Sequence, residues 1–306
     1  MESISKQIID RGELLTESVH PNSTNLDQLE TLELVRLFSE EDLMPQKAVS
    51  NAIPELVKAI DLIVSRIKEG GRLFYIGTGT SGRLGVLDAS ECPPTFCTPF
   101  ELVQGIIAGG INSMVKSSEG LEDDKELSIK DLRIRSFSKK DSLIGITAGG
   151  TTPYVLSALN YSLNLGALTI AMSCVPKKQS FIPSDIDIRL LTGPELLTGS
   201  TRLKAGTATK MALNIISTSV MVKLGKVYGN MMVDLSCTNK KLVDRSIRIL
   251  SDITSIDRKS ATELIDKCDG SLKLAILTSL SGLPVKKSKK LLEKNNNSIK
   301  EALLKL

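Results

Sequence analysis

Histidine is almost missing from this chain: its 306 residues include one, His20. A Ser-His-Asp apparatus would have to depend on that single imidazole, and a histidine-rich metal site is impossible. Any catalysis must therefore use carboxylates, lysines or hydroxyls. Long apolar runs are missing too. No uncharged stretch reaches the roughly 18 residues of a membrane span, so no membrane partner is expected. The N-terminal run MESISKQIIDRGELLTES is mixed in charge and has no apolar h-region, which gives no expectation of export. Cysteines are few, odd in number and scattered: Cys92, Cys97, Cys174, Cys237 and Cys268. The one close pair, Cys92 and Cys97, has no matching partner pair for zinc, so the five read as reduced thiols of a cytoplasmic protein, mostly in the core. Net charge is small, at +4. That argues weakly for an anionic ligand and gives no nucleic-acid stripe.

What remains is an ordinary globular composition, 41% apolar and 24% charged, in a chain long enough for a full core. Short apolar runs alternate with segments of helical period, the pattern of a parallel sheet covered by helices. Five strands are predicted: Arg72–Ile76, Leu102–Ile107, Ser142–Thr147, Leu168–Ser173 and Ile186–Leu191. A helix is expected at Tyr154–Leu163. A long one over Lys204–Lys226 presents Met211, Leu213, Ile215, Ile216, Val220, Met221 and Leu224 as a buried or dimer-forming face. Beyond Asp244 the composition shifts to three or four short helices broken by Gly270, by Gly282 and Pro284, and by Asn295-Asn296-Asn297. Their small core is expected to use Leu264, Ile265, Leu274, Ile276, Leu277, Leu291, Leu292, Ile299, Leu303 and Leu304. The lysines at 286, 287, 289, 290 and 294 have no aromatics among them and read as a solvated face. The expected division is an N-terminal helical segment (1–50), an α/β domain (51–243) and a small all-helical domain (244–306).

Two strands end in loops suited to phosphate. The first runs into Gly77-Thr78-Gly79-Thr80-Ser81-Gly82-Arg83, ahead of a helix expected to begin at LGVLDAS. Small residues allow close backbone approach, a helix start offers unpaired N–H groups, and hydroxyls of Thr78, Thr80 and Ser81 can donate to phosphate oxygens. A nucleotide loop is the rival reading, but the Walker Gly-Lys-Ser/Thr ending is absent. The third strand runs into Ala148-Gly149-Gly150-Thr151-Thr152-Pro153, where Thr152 suits an N-cap and Pro153 the first helical position. Loops at the carboxyl ends of parallel strands surround the crevice where open α/β sheets bind ligands. A phosphorylated small molecule is the expected partner.

Longer motifs are more specific. GRLFYIGTGTSGRLGVLDASECPPTF, from Gly71 to Phe96, resembles the heart of bacterial N-acetylmuramic acid 6-phosphate etherases. TGSTRLKAGTATK, from Thr198 to Lys210, continues as MALNIISTSVMVKLGKVYGNMMVDL and is similar to that family's second long motif. LLTESVHPNSTNLDQLETLELVRLFSEED, GIIAGG (Gly105–Gly110) and SSEGLEDD (Ser117–Asp124) match as well, so the resemblance covers essentially the whole chain.

The resemblance implies a sugar isomerase (SIS) fold with a helical C-terminal domain, a homodimer, and a cytoplasmic enzyme of cell-wall sugar recycling. Such enzymes split the D-lactyl ether of N-acetylmuramic acid 6-phosphate without metal or other cofactor. Two carboxyls are implied: Glu91, in DASECPP, as proton donor and Glu119 as base, with the two roles exchangeable. Cys92-Pro93-Pro94 is expected to end the helix that carries Glu91. Ser200, Thr201, Arg202 and Lys204 are placed near sugar or phosphate, although an N-cap with early helix charges explains them equally.

The chain departs from the pattern at the second loop. The family commonly has A-S-G-R-T-P-Y, where this chain has Ala148-Gly149-Gly150-Thr151-Thr152-Pro153-Tyr154. A serine hydroxyl and an arginine are gone; Thr151 or Thr152 can replace the hydroxyl, and glycine amides can still form an anion nest. Two other functions match parts of this pattern. Glucokinase regulatory proteins share these motifs without catalysis but resemble two such domains in one chain. An aldose–ketose isomerase needs no acid for an ether leaving group.

Overall fold

The computed structural model describes residues 11–116, 119–234 and 240–306; Ser117, Ser118, Cys237 and the Glu119 side chain lie outside the described set. By compactness the chain forms two units, Met1–Ala89 with Glu101–Ile216, and Ser90–Phe100 with Ser217–Leu306.

The first unit opens with three helices, α1 (Thr31–Glu41), α2 (Met44–Asn51) and α3 (Ile53–Lys68). Both α2 and α3 carry proline in the first turn, where its missing N–H costs no helical bond. The sheet follows: β1 (Leu73–Gly77), α4 (Gly79–Phe96), β2 (Val103–Ile107), α5 (Asn112–Val115), α6 (Lys125–Ile134), β3 (Ser142–Ile146), α7 (Pro153–Leu165), β4 (Leu168–Ser173) and β5 (Ile186–Arg189). Its order is β2-β1-β3-β4-β5, all parallel. Every predicted strand is present, with ends shifted by at most two residues. Strands β1, β3 and β4 are buried along their whole length, as expected for a sheet covered on both faces. Phe74, Ile76, Ile106 and Leu143 pack with Leu132 of α6 and with Val155, Ala158 and Leu159 of α7. The first α7 residue is Pro153 and Gly166 closes it at φ 82°, so the helix overruns its predicted span at both ends.

Helix α8 (Lys204–Lys223) starts at its predicted residue and stops three residues early, before the left-handed Gly225. Leu213, Ile216, Val220 and Met221 are buried, whereas Ile215 points outward. Two further expectations fail. Helix α4 begins at Gly79, so most of the glycine-rich run is its first turn. Pro93 and Pro94 do not end it either: the helix runs to Phe96, and closure comes at Cys97, in the left-handed region with its N–H on the Pro93 carbonyl. Each proline forfeits one helical bond but already has helical φ, so the turn persists.

The second unit adds a short hairpin, β6 (Val227–Tyr228) with β7 (Met231–Met232), and five helices: α9 (Lys240–Thr254), α10 (Arg258–Lys267), α11 (Leu272–Ser281), α12 (Val285–Lys294) and α13 (Ile299–Leu303). The additional break falls at Ser255, left-handed at φ 57°, followed by Asp257 capping α10 through Lys259 and Ser260 N–H. No glycine or proline marks it, so the region has five helices where composition predicts three or four. The core contains Ile265, Leu274, Ile276, Leu277, Leu292 and Ile299, with Leu264, Leu291 and Leu303 packed against it. Leu304 is 76% exposed and takes no part. Buried Lys273 is held by Asp234 at 2.7 Å and the Gly225 carbonyl at 3.0 Å. Cys92, Cys174 and Cys268 are buried free thiols, and Cys97 is a free exposed one. Among the described residues no helix is long and apolar enough to cross a membrane.

Candidate active site

The loop after β1 is a single residue, Thr78, before α4 begins. A side chain on Gly77 would stand 2.7 Å from the Gly82 nitrogen, and one on Gly82 would stand 2.6 Å from the Gly77 carbonyl oxygen. Gly79 turns the chain at φ 48°. Strand end and helix start are thereby pressed together, and the amides of Gly79, Thr80 and Ser81 open the helix with no carbonyl four residues behind them. Gly77, Gly79 and Gly82 also stand at the G-x-G-x-x-G spacing of a dinucleotide-binding fingerprint. That motif needs a carboxylate about 20 residues on, at the end of the next strand, whereas β2 ends in Ile107-Ala108-Gly109-Gly110.

The loop after β3 is its neighbour, because Gly77 and Ile146 are in register. It spans residues 147–152, with Gly150 left-handed and α7 capped by Thr152. The Thr152 hydroxyl bonds Thr147 at 2.9 Å instead of the helix amides. Ser180 donates to the Gly150 carbonyl at 2.7 Å.

The acidic segment is tied to both loops. Arg83 of α4 donates to the Met114 carbonyl at 3.1 Å, and Tyr154 of α7 donates its N–H to the Glu122 carbonyl at 3.0 Å. Residues 119–121 form one 3₁₀ turn between these tethers, with Leu121 packed on the sheet core. In sequence, Glu119 thus falls between a residue held by α4 and a residue held by the start of α7. Glu91 is exposed on the portion of α4 that belongs to the second unit.

The start of α8 adjoins the first loop: a side chain on Gly206 would touch Thr80 Cγ2 at 3.5 Å and the Thr201 carbonyl at 3.4 Å. Ser200 and Thr201 are half-buried in the turn leading to α8, and Arg202 is exposed. Lys204 is different in kind. It is 3% exposed, and its Nζ lies 2.5 Å from Glu41 Oε2, which His20 Nε2 approaches at 3.2 Å. Asn22 N–H donates to His20 Nδ1, so Nε2 carries the proton directed at Glu41. Burial raises the Glu41 carboxyl pKa, but Lys204 and His20 together outweigh this and hold it below its ordinary 4.5. Glu195, also buried, accepts the N–H groups of Lys204 and Ala205 at 3.0 and 2.9 Å; desolvation nevertheless leaves its pKa raised. Asp88 of the DASECPP run accepts from Tyr75 and Asn214, joining β1, α4 and α8.

Glu41, Glu195 and Asp88 escaped sequence reading as site-building groups, and His20 figured there only as the one imidazole. Their partners lie 163, 9 and 126 residues away, with no spacing rule to link them.

Comparison with known proteins finds relatives of three kinds. The family model for the glucokinase regulatory protein N-terminal SIS domain matches residues 55–163. Solved structures of phosphoheptose isomerases from Neisseria gonorrhoeae and Francisella tularensis are each 17% identical, with TM-scores of 0.47 and 0.46, covering 64% and 62% of this chain and 98% and 100% of theirs. Much nearer in sequence is an N-acetylmuramic acid 6-phosphate etherase of Prochlorococcus marinus (strain NATL2A), 65% identical over 90% of this chain and 89% of its own. One from Parasynechococcus marenigrum (strain WH8102) is 61% identical over 89% and 86%. With identity this high across nearly all of both chains, this protein belongs to the N-acetylmuramic acid 6-phosphate etherase family, built on the SIS fold.

Proposed function

We propose that this chain cleaves the D-lactyl ether of N-acetylmuramic acid 6-phosphate to N-acetylglucosamine 6-phosphate and D-lactate. The observation that carries the reading is the 65% identity over nine-tenths of the chain, with both glycine-rich loops side by side at the carboxyl edge of the sheet. In this reading the amides of Gly79 and Gly149 and the hydroxyls of Thr78, Thr80, Ser81, Thr151 and Thr152 hold phosphate and sugar, while Gly150, whose N–H donates to the Thr147 carbonyl, turns the loop around them. Ser200 and Thr201 border the same site, and Lys204 acts through Glu41, holding the start of α8 in place.

The chemistry is an elimination followed by hydration. In the ring-opened sugar the C2 proton is acidified by the C1 aldehyde. Glu119 takes that proton, the C3–O bond breaks, and Glu91 protonates the departing lactyl oxygen. Water then adds at C3 as a proton returns to C2, restoring the hydroxyl. Each proton transfer contributes roughly 10²–10⁴ in rate. Two carboxyls and water supply all these steps in a chain with one histidine.

Incubation with N-acetylmuramic acid 6-phosphate should release D-lactate in step with N-acetylglucosamine 6-phosphate; folded protein that binds the sugar phosphate and releases none overturns the proposal. Glu91→Gln and Glu119→Gln should each lower kcat by about 10²-fold or more. Only Glu119→Gln should abolish exchange of the C2 proton with deuterated solvent, and retained exchange would reassign the base. The proposal also includes a cytoplasmic homodimer, checked by light scattering at twice the 33.1 kDa chain mass.

A further inference from the structure

Thr16 lies in a segment before the first helix, yet it is 1% exposed and its hydroxyl has no hydrogen-bond partner. Such a group is unfavourable by about 1–3 kcal/mol unless something satisfies it. Its location suggests what does. A Cβ built on Gly149 would stand 3.6 Å from Thr16 Oγ1 and 3.8 Å from Thr151 Oγ1, with Leu14 Cδ1 at 3.6 Å on the apolar side. Two hydroxyls therefore converge on the side-chain volume that Gly149 leaves vacant. Gly149 and Thr151, which border that volume, are themselves only half-buried.

The segment is held where it is. Gln179 accepts the Leu15 N–H at 3.0 Å and donates to the Glu13 carbonyl at 2.8 Å. Just beyond, the Glu17 carboxylate lies 3.1 Å from the position of a side chain on Gly199. Thr16 is thus presented to the second loop by bonds on one side and packing on the other.

We propose that Thr16 is a substrate-positioning residue whose hydroxyl donates to a phosphate oxygen of the sugar phosphate seated on the Gly149–Thr152 loop. The inference rests on the reading of that loop as a phosphosugar site. Phosphate oxygens only accept, and a hydroxyl donated to an anion makes the stronger, charge-assisted kind of bond. With that bond made, the buried hydroxyl is a satisfied donor.

Thr16→Val keeps the shape and removes the donor. Calorimetric titration with N-acetylglucosamine 6-phosphate should show its Kd raised about tenfold. Turnover of N-acetylmuramic acid 6-phosphate should show the loss in KM, with kcat within about twofold. Thr16→Ser should retain wild-type affinity within about threefold. The unliganded Tm of Thr16→Val should be unchanged or higher, because an unpaired buried hydroxyl has been removed. Adding Gly149→Ser to Thr16→Val should restore binding by placing a hydroxyl in the same volume. Unchanged Kd in a folded Thr16→Val protein would overturn the proposal, as would a lower unliganded Tm, the mark of a purely structural hydroxyl. Should Thr16→Val not fold, Gly149→Ser alone decides: unaltered affinity would show that the volume beside Thr16 holds no ligand. If the wild type binds no phosphosugar, the reading of the loop falls as well; if it binds and Thr16→Val binds equally, only the role of Thr16 falls.

Discussion

Between β1 and α4 the chain uses one residue, and between β3 and α7 it uses six. The short connection is shaped by its own backbone, with Gly77 and Gly82 in contact too close for any side chain. The long one is shaped by residues far away in sequence: Ser180 on Gly150, Leu14 and Thr16 beside Gly149, and Glu122 on Tyr154. The same sheet edge thus carries one loop that is locally determined and one that depends on the N-terminal segment being in place. That segment is anchored by Gln179, by Ser23 on the Leu196 carbonyl at 2.7 Å, and by the His20–Glu41–Lys204 cluster.

The largest effect should come from Glu41→Gln, which leaves the buried Lys204 ammonium without its carboxylate. Loss of one partner of a buried pair costs about 3–5 kcal/mol, so Tm should fall steeply while the first loop stays intact. The sign with pH follows from the direction of the shift. A carboxyl held below its ordinary value contributes stability above pH 4.5, and that contribution is lost as pH falls through the lower folded value. Denaturation of wild type and variant should therefore differ most near neutrality and converge in acid. Equal stabilities at neutral pH would show that the cluster is no anchor.

Next in size is a contrast between the loops. Gly82→Ala would place its Cβ 2.6 Å from the Gly77 carbonyl oxygen and 2.7 Å from Ile107 Cγ1. Overpacking of this kind costs about 1–3 kcal/mol. Gly149→Ala meets only ordinary contacts at 3.6 Å and beyond, so its stability should stay within about 0.5 kcal/mol of wild type. Urea denaturation of both variants measures the difference, and similar losses would erase the distinction between the loops.

That distinction also decides what the sequence could reveal. Buried strands such as Leu168–Ser173 and the glycine-rich first loop are written in contiguous residues, so pattern alone located them. The start of α4 was misplaced because Gly79 and Gly82 read as loop formers, although one supplies the turn and the other the close packing that let the helix begin early. The prolines at 93 and 94 misled for a related reason: their fixed φ is helical, and only the Cys97 conformation ends α4. Thr16, Glu41 and Glu195 carry no local signal. Their meaning comes from partners across the fold, and a single chain read by spacing does not contain that distance information.

The smallest predicted effect tests the dependence of the second loop most directly. Gln179→Ala removes two hydrogen bonds to the backbone of residues 13 and 15 but touches neither loop through its side chain. Each net bond is worth about 0.5–1.5 kcal/mol, and partial exposure lets water replace part of that. Global stability should fall by only about 1 kcal/mol. If the segment does present Thr16 to the second loop, KM should nevertheless rise severalfold while kcat holds, because the donor is lost from position before the fold is lost. Combining Gln179→Ala with Thr16→Val then gives less than the product of the two separate effects, since both remove the same donor. A full product would mean that Gln179 supports binding by some other route, and an unchanged KM in the single variant would mean that the second loop stands without its distant support.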